Sequence, residues 1–295
     1  MSITRYVVTG SEGQLGRSLV RYLVADSEKE LEMACSHGEL DIADEDAVFR
    51  TFEALAAPVT VINAAAMTAV DRCESEAETA YRVNREGPGV LARACLERGY
   101  GFAHVSTDYV FDGRSKQPYR ESAPTAPQSV YGRSKLEGEE QVRGTSPDFL
   151  VIRASWLFGP GQNFVAAILR QAGQRKEDAD NTPLRVVDDQ RGTPTYTADL
   201  AEGLLQLIEL NAAGLFHLSN TGSATWWDFA RAILDQSGYG ELAVEAVATE
   251  DLDLPAPRPE SSLLDCSRAS ALGVELRPWQ EGLAAYLASA DRPAG

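Results

Sequence analysis

Eight residues near the amino end, Thr9-Gly10-Ser11-Glu12-Gly13-Gln14-Leu15-Gly16, restrict the fold more than any other stretch of the chain. They follow the β-branched run Tyr6 to Val8 and precede a helical pattern that opens near Arg17. In a strand-to-helix turn of this kind the first glycine makes the tight bend. The second lets backbone N–H groups approach a phosphate, and the third lets helix and strand pack closely. The helix start then offers unpaired donors and a partial positive charge to an anion. The spacing is Gly-x-x-Gly-x-x-Gly rather than Gly-x-Gly-x-x-Gly, so a plain structural turn stands beside the phosphate cradle as the alternative. On the cradle reading, Gly10, Gly13 and Gly16 hold a dinucleotide.

The pattern that follows supports a parallel sheet. Short runs at Tyr6 to Val8, Leu31 to Cys35, Val59 to Ile62, Phe102 to Ser106 and Phe149 to Ile152 read as strands, separated by helical stretches. The clearest helix runs from Arg72 to Arg98, with a kink or break expected at Gly87-Pro88. The proline-bearing segment from Asp112 to Gln128 is too long for a simple connection and is expected to shape a binding site. Beyond Gly159 the pattern loosens, with helices at Phe164 to Gln174, Ala198 to Leu210 and Trp226 to Ser237, and the tail after Ser289 is expected to fray. The expected architecture is α/β, a Rossmann-type doubly wound parallel sheet with a smaller C-terminal lobe. Residues 1–158 form the dinucleotide-binding domain, the chain returns to it around 185–216, and 159–295 mainly build the lobe.

Composition removes several function classes. A formal net charge of −17 argues against nucleic-acid binding, which needs clustered Lys and Arg. No apolar run approaches the roughly 18 residues of a membrane span, and the opening residues carry no secretory signal pattern. The expectation is a cytoplasmic protein without nucleic-acid or membrane partners. Cys35, Cys73, Cys95 and Cys266 are scattered and read as reduced structural thiols. His37, His104 and His217 lack mutual metal spacing and read as packed or surface residues, and no metal site is expected. Asp188-Asp189 has no companion ligands for a cation. The chain holds only four lysines among 27 basic residues, so a lysine inside a motif stands out.

Further candidates lie at strand ends. Ser36-His37-Gly38 follows the second strand, where a carboxylate would favour NADH; none excludes NADPH and no adjacent arginine demands it, so NADPH or NADH remains open. Asp41 and Ile42 stand where the next element approaches an adenine, and Asn63-Ala64-Ala65-Ala66 leaves room for a ligand against the backbone, or for close helix packing. Tyr131 and Lys135 share one face of a helix. A free phenol titrates near about 10 and is a poor acid at neutral pH. A nearby ammonium favours the phenolate and brings proton transfer within reach.

Taken in order, glycine turn, Asn-Ala-Ala-Ala, Ser106-Thr107-Asp108, then Tyr131 and Lys135, the sequence resembles the extended short-chain dehydrogenase/reductase superfamily. Ser106-Thr107-Asp108-Tyr109-Val110-Phe111-Asp112-Gly113, Arg153-Ala154-Ser155-Trp156 and Asp189-Gln190-Arg191-Gly192-Thr193-Pro194-Thr195 are similar to the dTDP-4-dehydrorhamnose reductase family. That resemblance implies Tyr131 as proton donor, Lys135 as binder of the nicotinamide ribose and tuner of Tyr131, and Thr107 as their hydrogen-bond partner. It implies a cofactor lining of Gly13, Gln14, Leu15, Asp41, Ile42, Ala66 and Thr68, and a C-terminal lobe that binds substrate. Thr107, Asp108 and Trp156 would contact the sugar nucleotide, with Asn163 and Arg258 as candidates for its diphosphate. Met67 stands where the family leads one to expect an aromatic residue. Ser18 stands where some members carry a glutamate for a metal-linked dimer, which leaves a monomer or a homodimer without that bridge.

The implied reaction is reduction of the C4 carbonyl of dTDP-4-dehydro-L-rhamnose. Tyr109 after Thr107-Asp108 removes the glutamate of a sugar-nucleotide dehydratase. An epimerase would retain its NAD, and a non-catalytic NADP-binding regulatory subunit, similar to the beta subunit of methionine adenosyltransferase, would bind cofactor and a protein partner without turnover. Trp226-Trp227 reads as an anchor of the C-terminal lobe, with a substrate lid as the minority reading.

Overall fold

The alternation of apolar residues in each strand decides how the layers form. The computed structural model describes residues 4–56 and 58–289. Strands β1 (Thr4–Thr9), β2 (Lys29–Cys35), β3 (Val59–Asn63), β4 (Gly101–Thr107) and β5 (Leu150–Ala154) join the Gly214–His217 strand in a six-stranded sheet. Its order is Gly214–His217, β5, β4, β3, β1, β2, and every pairing is parallel. Because successive side chains point to opposite faces, Tyr6, Val8, Ile62, Ala103 and Ile152 enter one core and Val7, Val61, Phe102 and Val151 the other. Such buried strands need helices on both faces.

Helices α1 (Gln14–Ala25) and, much later, α8 (Thr197–Glu209) cover the first face through Leu15, Leu19, Leu23, Leu200 and Leu204. Helix α2 (Glu45–Glu53) covers the second with Val48 and Phe52, capped by the Asp44 carboxylate on Ala47 N–H at 2.9 Å. Between β3 and β4 the expected single helix is three pieces, α3 (Val70–Ser75), α4 (Ala77–Tyr81) and α5 (Gly87–Arg98), with a π turn at Arg82–Glu86 leading into the last. The helix is interrupted at Glu76, and the π turn gives way to α5 at Gly87. Pro88 sits in the first turn of α5, directly after the π turn. The π turn places Asn84 so that its side chain accepts from Met67 N–H at 2.8 Å and donates to Met67 O at 3.0 Å and to Ser134 Oγ at 3.1 Å, pinning the loop after β3 to the next helix.

That next helix, α6 (Val130–Thr145), is capped by the Ser129 hydroxyl on Gly132 N–H. It seats so deeply that a Cβ at Gly132 would stand 2.2 Å from Tyr109 O. After β5, helices α7 (Phe164–Glu177) and α9 (Trp226–Gln236), with the Trp279–Ala288 helix, build a separate core around Phe158, Ile168, Tyr196, Phe229, Ile233 and Tyr286. In this part of the chain α8 packs on the sheet and Gly214–His217 joins its edge beside β5, while Leu184–Val187 pairs with Val244–Val247. The segment from Asp112 to Gln128 does not shape the cavity described below. Tyr119 stacks on Phe111 at 4.2 Å and donates to Asp112 Oδ1 at 2.5 Å, folding the segment onto Leu263–Asp265. The expectation for the tail past Ser289 lies outside the described residues.

Candidate active site

At the carboxyl end of β1 the chain turns through Gly10 with φ of +72°, and a Cβ there would stand 2.5 Å from Ala65 N. A Cβ at Gly16 would stand 2.1 Å from Gly10 O, so helix and turn touch as the spacing requires. Gly13 begins α1 without a side-chain cap, leaving the first helical N–H groups facing outward. In parallel sheets ligands bind beyond these strand ends. Here a cavity of about 370 Å³ opens, lined by Gly13, Gln14, Leu15, Ala64, Ala66, Thr68, Ser106, Thr107, Asp108, Tyr109, Tyr131, Lys135, Trp156 and Trp226, among others.

Gln14 Oε1 and Ser106 Oγ are among the buried polar atoms on this wall that have no hydrogen-bond partner. Buried polar groups are nearly always satisfied, so orphans at the mouth of an anion-binding turn fit a polar ligand lying across it. The residues present therefore suit a dinucleotide.

Tyr131 and Lys135, one turn apart on α6, both reach the cavity. Burial pushes the Tyr131 phenol up, and a hydrogen bond shared with Thr107 draws it partly back. The Lys135 ammonium donates to Val105 O at 2.7 Å and lies 3.4 Å from His104 Nε2. Burial lowers it to about 8, against the raising influence of the Glu139 charge. Desolvation outweighs every charge near Tyr131 in its effect on the phenol. Thr107 donates to Asp108 Oδ1 at 2.9 Å, and burial raises Asp108 to about 6.

The remaining wall is aromatic. Trp156 adopts a positive φ of 47° and stacks flat on Trp226, with ring centroids 3.6 Å apart. Trp226 is held by Gln190 Oε1 at 3.1 Å, whereas Trp227 donates to Val244 O inside the lobe. Both tryptophans thus pack on the lobe core, and Trp226 lines the cavity as well, a place that sequence reasoning undervalued. Ser106 and Tyr109 also reach the cavity although they were read only as parts of a motif.

Other expected residues stand elsewhere. Gly10 and Gly16 shape the turn without lining the cavity. Asn63 is fully buried in the sheet, accepting from Thr9 Oγ1 at 2.7 Å and Ala65 N at 3.0 Å, and Ala65 lies beside it behind the wall. Asp41 pairs with Arg82 outside the cavity, and Ile42 is buried against α5. Asn163 caps α7 on Ala166 N and donates to Gly159 O, Gly161 O and Tyr286 Oη. Arg258 pairs with Asp71 at 2.6 Å. Asp188 accepts from Thr225 Oγ1 and Asp189 from Thr249 N and Oγ1, and no cluster of metal-ligating side chains occurs among the described residues.

Chemically, the arrangement sets a buried phenol, a hydroxyl and an amine whose proton affinity burial lowers opposite an anion-binding turn. Such a site delivers a proton to an oxygen lodged between them. The family described as "RmlD substrate binding domain" matches residues 4–292. The spore coat polysaccharide biosynthesis protein SpsK of Bacillus subtilis (strain 168) is 41% identical over 97% of each chain. A dTDP-4-dehydrorhamnose reductase of Streptomyces griseus is 42% identical, covering 95% of this chain and 91% of that one. The crystal structure of dTDP-4-dehydrorhamnose reductase from Bacillus anthracis str. Ames, in complex with NADP, superposes with a TM-score of 0.87 at 33% identity, covering 96% of this chain and 98% of that one.

Proposed function

The chain belongs to the dTDP-4-dehydrorhamnose reductase family, and from that premise we propose that it reduces the C4 keto group of dTDP-4-dehydro-L-rhamnose to give dTDP-L-rhamnose, using NADPH or NADH. The observation that carries the reading of the site is convergence: Tyr131, Lys135 and Thr107 line the same cavity as the Gly13-Gln14 helix start. The reduced nicotinamide supplies the hydride. Everything else falls to the protein's own groups.

In this reading the turn at Gly10, Gly13 and Gly16 and the α1 start hold the pyrophosphate, with Gln14, Leu15, Ala64, Ala66 and Thr68 along the dinucleotide. Asn63 and Ala65 support that wall from behind, and Asp41 and Ile42 border the adenine end. Tyr131 donates its phenolic proton to the alkoxide oxygen forming at C4. Thr107 holds the same oxygen, and Lys135 as an ammonium steadies the phenolate left behind. Asp108 and the Trp156–Trp226 stack receive the sugar nucleotide, a role that Asn163 and Arg258 fill only at its edge. Positioning of the two reactants supplies much of the acceleration.

The division into a dinucleotide domain at 1–158 and a mainly substrate-binding lobe at 159–295 follows from the same assignment. No described helix is long and apolar enough to cross a membrane, and the proposed location is the cytoplasm. Ser18 is buried against Thr197 Oγ1 at 2.8 Å and offers no carboxylate for a metal bridge, so the proposed species is a monomer or a homodimer held by other contacts.

The test supplies purified protein with NADPH, then NADH, and enzymatically generated dTDP-4-dehydro-L-rhamnose, following loss of reduced-nicotinamide absorbance. Tyr131→Phe is expected to lower the rate by about 100-fold or more, the scale of a lost general acid. Equal rates in variant and parent reject the role given to Tyr131.

A further inference from the structure

Thr9, Asn63 and His104 lie in register on β1, β3 and β4, and their side chains form a continuous buried chain that ends at Lys135. The direction of its hydrogen bonds is fixed by one group that can only donate. Ala65 N–H donates to the Asn63 side chain at 3.0 Å, so the atom facing it is Oδ1, which also accepts from Thr9 Oγ1 at 2.7 Å. Nδ2 of Asn63 must then face His104 Nδ1, at 3.0 Å, as a donor. Nδ1 is therefore the accepting nitrogen, and the proton of the neutral ring sits on Nε2. His104 is fully buried, and burial together with the Lys135 charge holds it well below its ordinary range, so the ring stays neutral.

The consequence falls on Lys135. The Nε2–H of His104 points at Nζ across 3.4 Å, while Nζ donates to Val105 O at 2.7 Å. An ammonium there meets a second donor head-on, whereas a neutral amine accepts the Nε2 proton with its lone pair. A hydrogen bond to the neutral form disfavours the charged one. Other charges nearby are accounted for. Glu139 on α6 favours the ammonium but is held by Arg153 from β5, Glu74 on α3 accepts from Val130 N–H, and Arg85 of the π turn meets Glu137 on α6. Asp108 and Tyr109 share the cavity with Lys135 and Tyr131.

We propose that His104 is a positioning residue for the Tyr131–Lys135 pair: locked as its Nε2–H tautomer through Ala65 and Asn63, it opposes the ammonium form of Lys135 and so sets the alkaline limit of turnover. The link to turnover rests on the role given to Lys135 above; the effect on its proton affinity does not.

The chain's four lysines make the test direct, because ¹³Cε-lysine NMR of the intact protein yields few signals to follow through a pH titration. In His104→Asn the shorter amide keeps an acceptor for Asn63 but loses the donor beside Nζ, and the Lys135 midpoint is expected to rise by about one pH unit, roughly tenfold in proton affinity. His104→Gln reaches further, restores an N–H, and is expected to bring the midpoint back. The alkaline limb of kcat should move with it, which a loss of packing alone would not produce. Identical Lys135 midpoints in all three proteins overturn the proposal. So does ¹⁵N-histidine NMR of the unaltered protein, with its three histidines, if it finds the His104 proton on Nδ1. A Lys135 shift with no matching change in kcat overturns the link to turnover and the role of Lys135, but not the tautomer lock.

Discussion

Replacing Glu139 with glutamine leaves the Arg153 guanidinium buried without a counter-charge. The two side chains meet through paired hydrogen bonds, Nε to Oε1 at 2.8 Å and Nη2 to Oε2 at 2.6 Å. They are 0% and 2% exposed, so water offers neither any compensation. Two unit charges about 4 Å apart attract by about 4 kcal/mol at an effective dielectric of about 20. Breaking one partner of such a pair costs about 3–5 kcal/mol, most of it the penalty of the stranded charge. The phenyl face of Phe111, 5.0 Å from the guanidinium carbon, returns only part of this. At roughly 2–4 °C per kcal/mol for a large domain, the melting temperature of Glu139→Gln should fall by about 10 °C. Thermal and urea unfolding followed by circular dichroism read the cost. Combining Glu139→Leu with Arg153→Met should recover most of it, because an apolar pair strands no charge. A loss in Glu139→Gln under about 1 kcal/mol, or a double variant whose losses simply add, refutes the argument. Since the Glu139 charge raises Lys135, the same change should also lower the pH at which activity fades.

Three further outcomes are expected. His217 is held at about 3 by burial and the Arg153 charge, below its unfolded value near 6.5; its contribution is complete above pH 6.5 and lost as pH falls toward 3, by up to about 1.4 kcal/mol per pH unit, and His217→Gln should flatten that slope in acid unfolding curves. Trp226→Ala removes the ring stacked on Trp156 and should raise KM for the sugar nucleotide by about tenfold, consistent with a stacking contribution of about 1 kcal/mol plus lost contact, with a much smaller change in KM for the nicotinamide. Gly10→Ala forces a Cβ against the Ala65 backbone at positive φ and should weaken equilibrium NADPH binding, followed by nucleotide fluorescence, by more than tenfold.

Much of the fold and part of the site could be read from residue order, because the information was local. Five strands betray themselves as short, mostly apolar runs, and the glycine spacing predicts the turn in which Gly16 packs on Gly10 six residues away. The four-residue separation of Tyr131 and Lys135 puts both on one helical face whatever that face packs against. Other features escaped for an equally physical reason. Gly87-Pro88 marks where a π turn gives way to α5, whereas the full interruption at Glu76 carries no proline or glycine to announce it. Glu139 and Arg153 lie on separate elements, and nothing in either segment marks them as partners.

What the amino-acid order determined by itself was periodicity: which residues alternate, where the chain turns, and which side chains share a helix face. Only tertiary packing decided that His104, an ordinary buried histidine by sequence, stands between Asn63 and Lys135, and that Trp226, packed on its own lobe, also meets Trp156. Those meetings depend on strand register across β1, β3 and β4 and on burial that strips charges of water. Both are properties of the assembled chain, since a hydrogen-bond direction or a shifted proton affinity comes into being only when distant segments close around it.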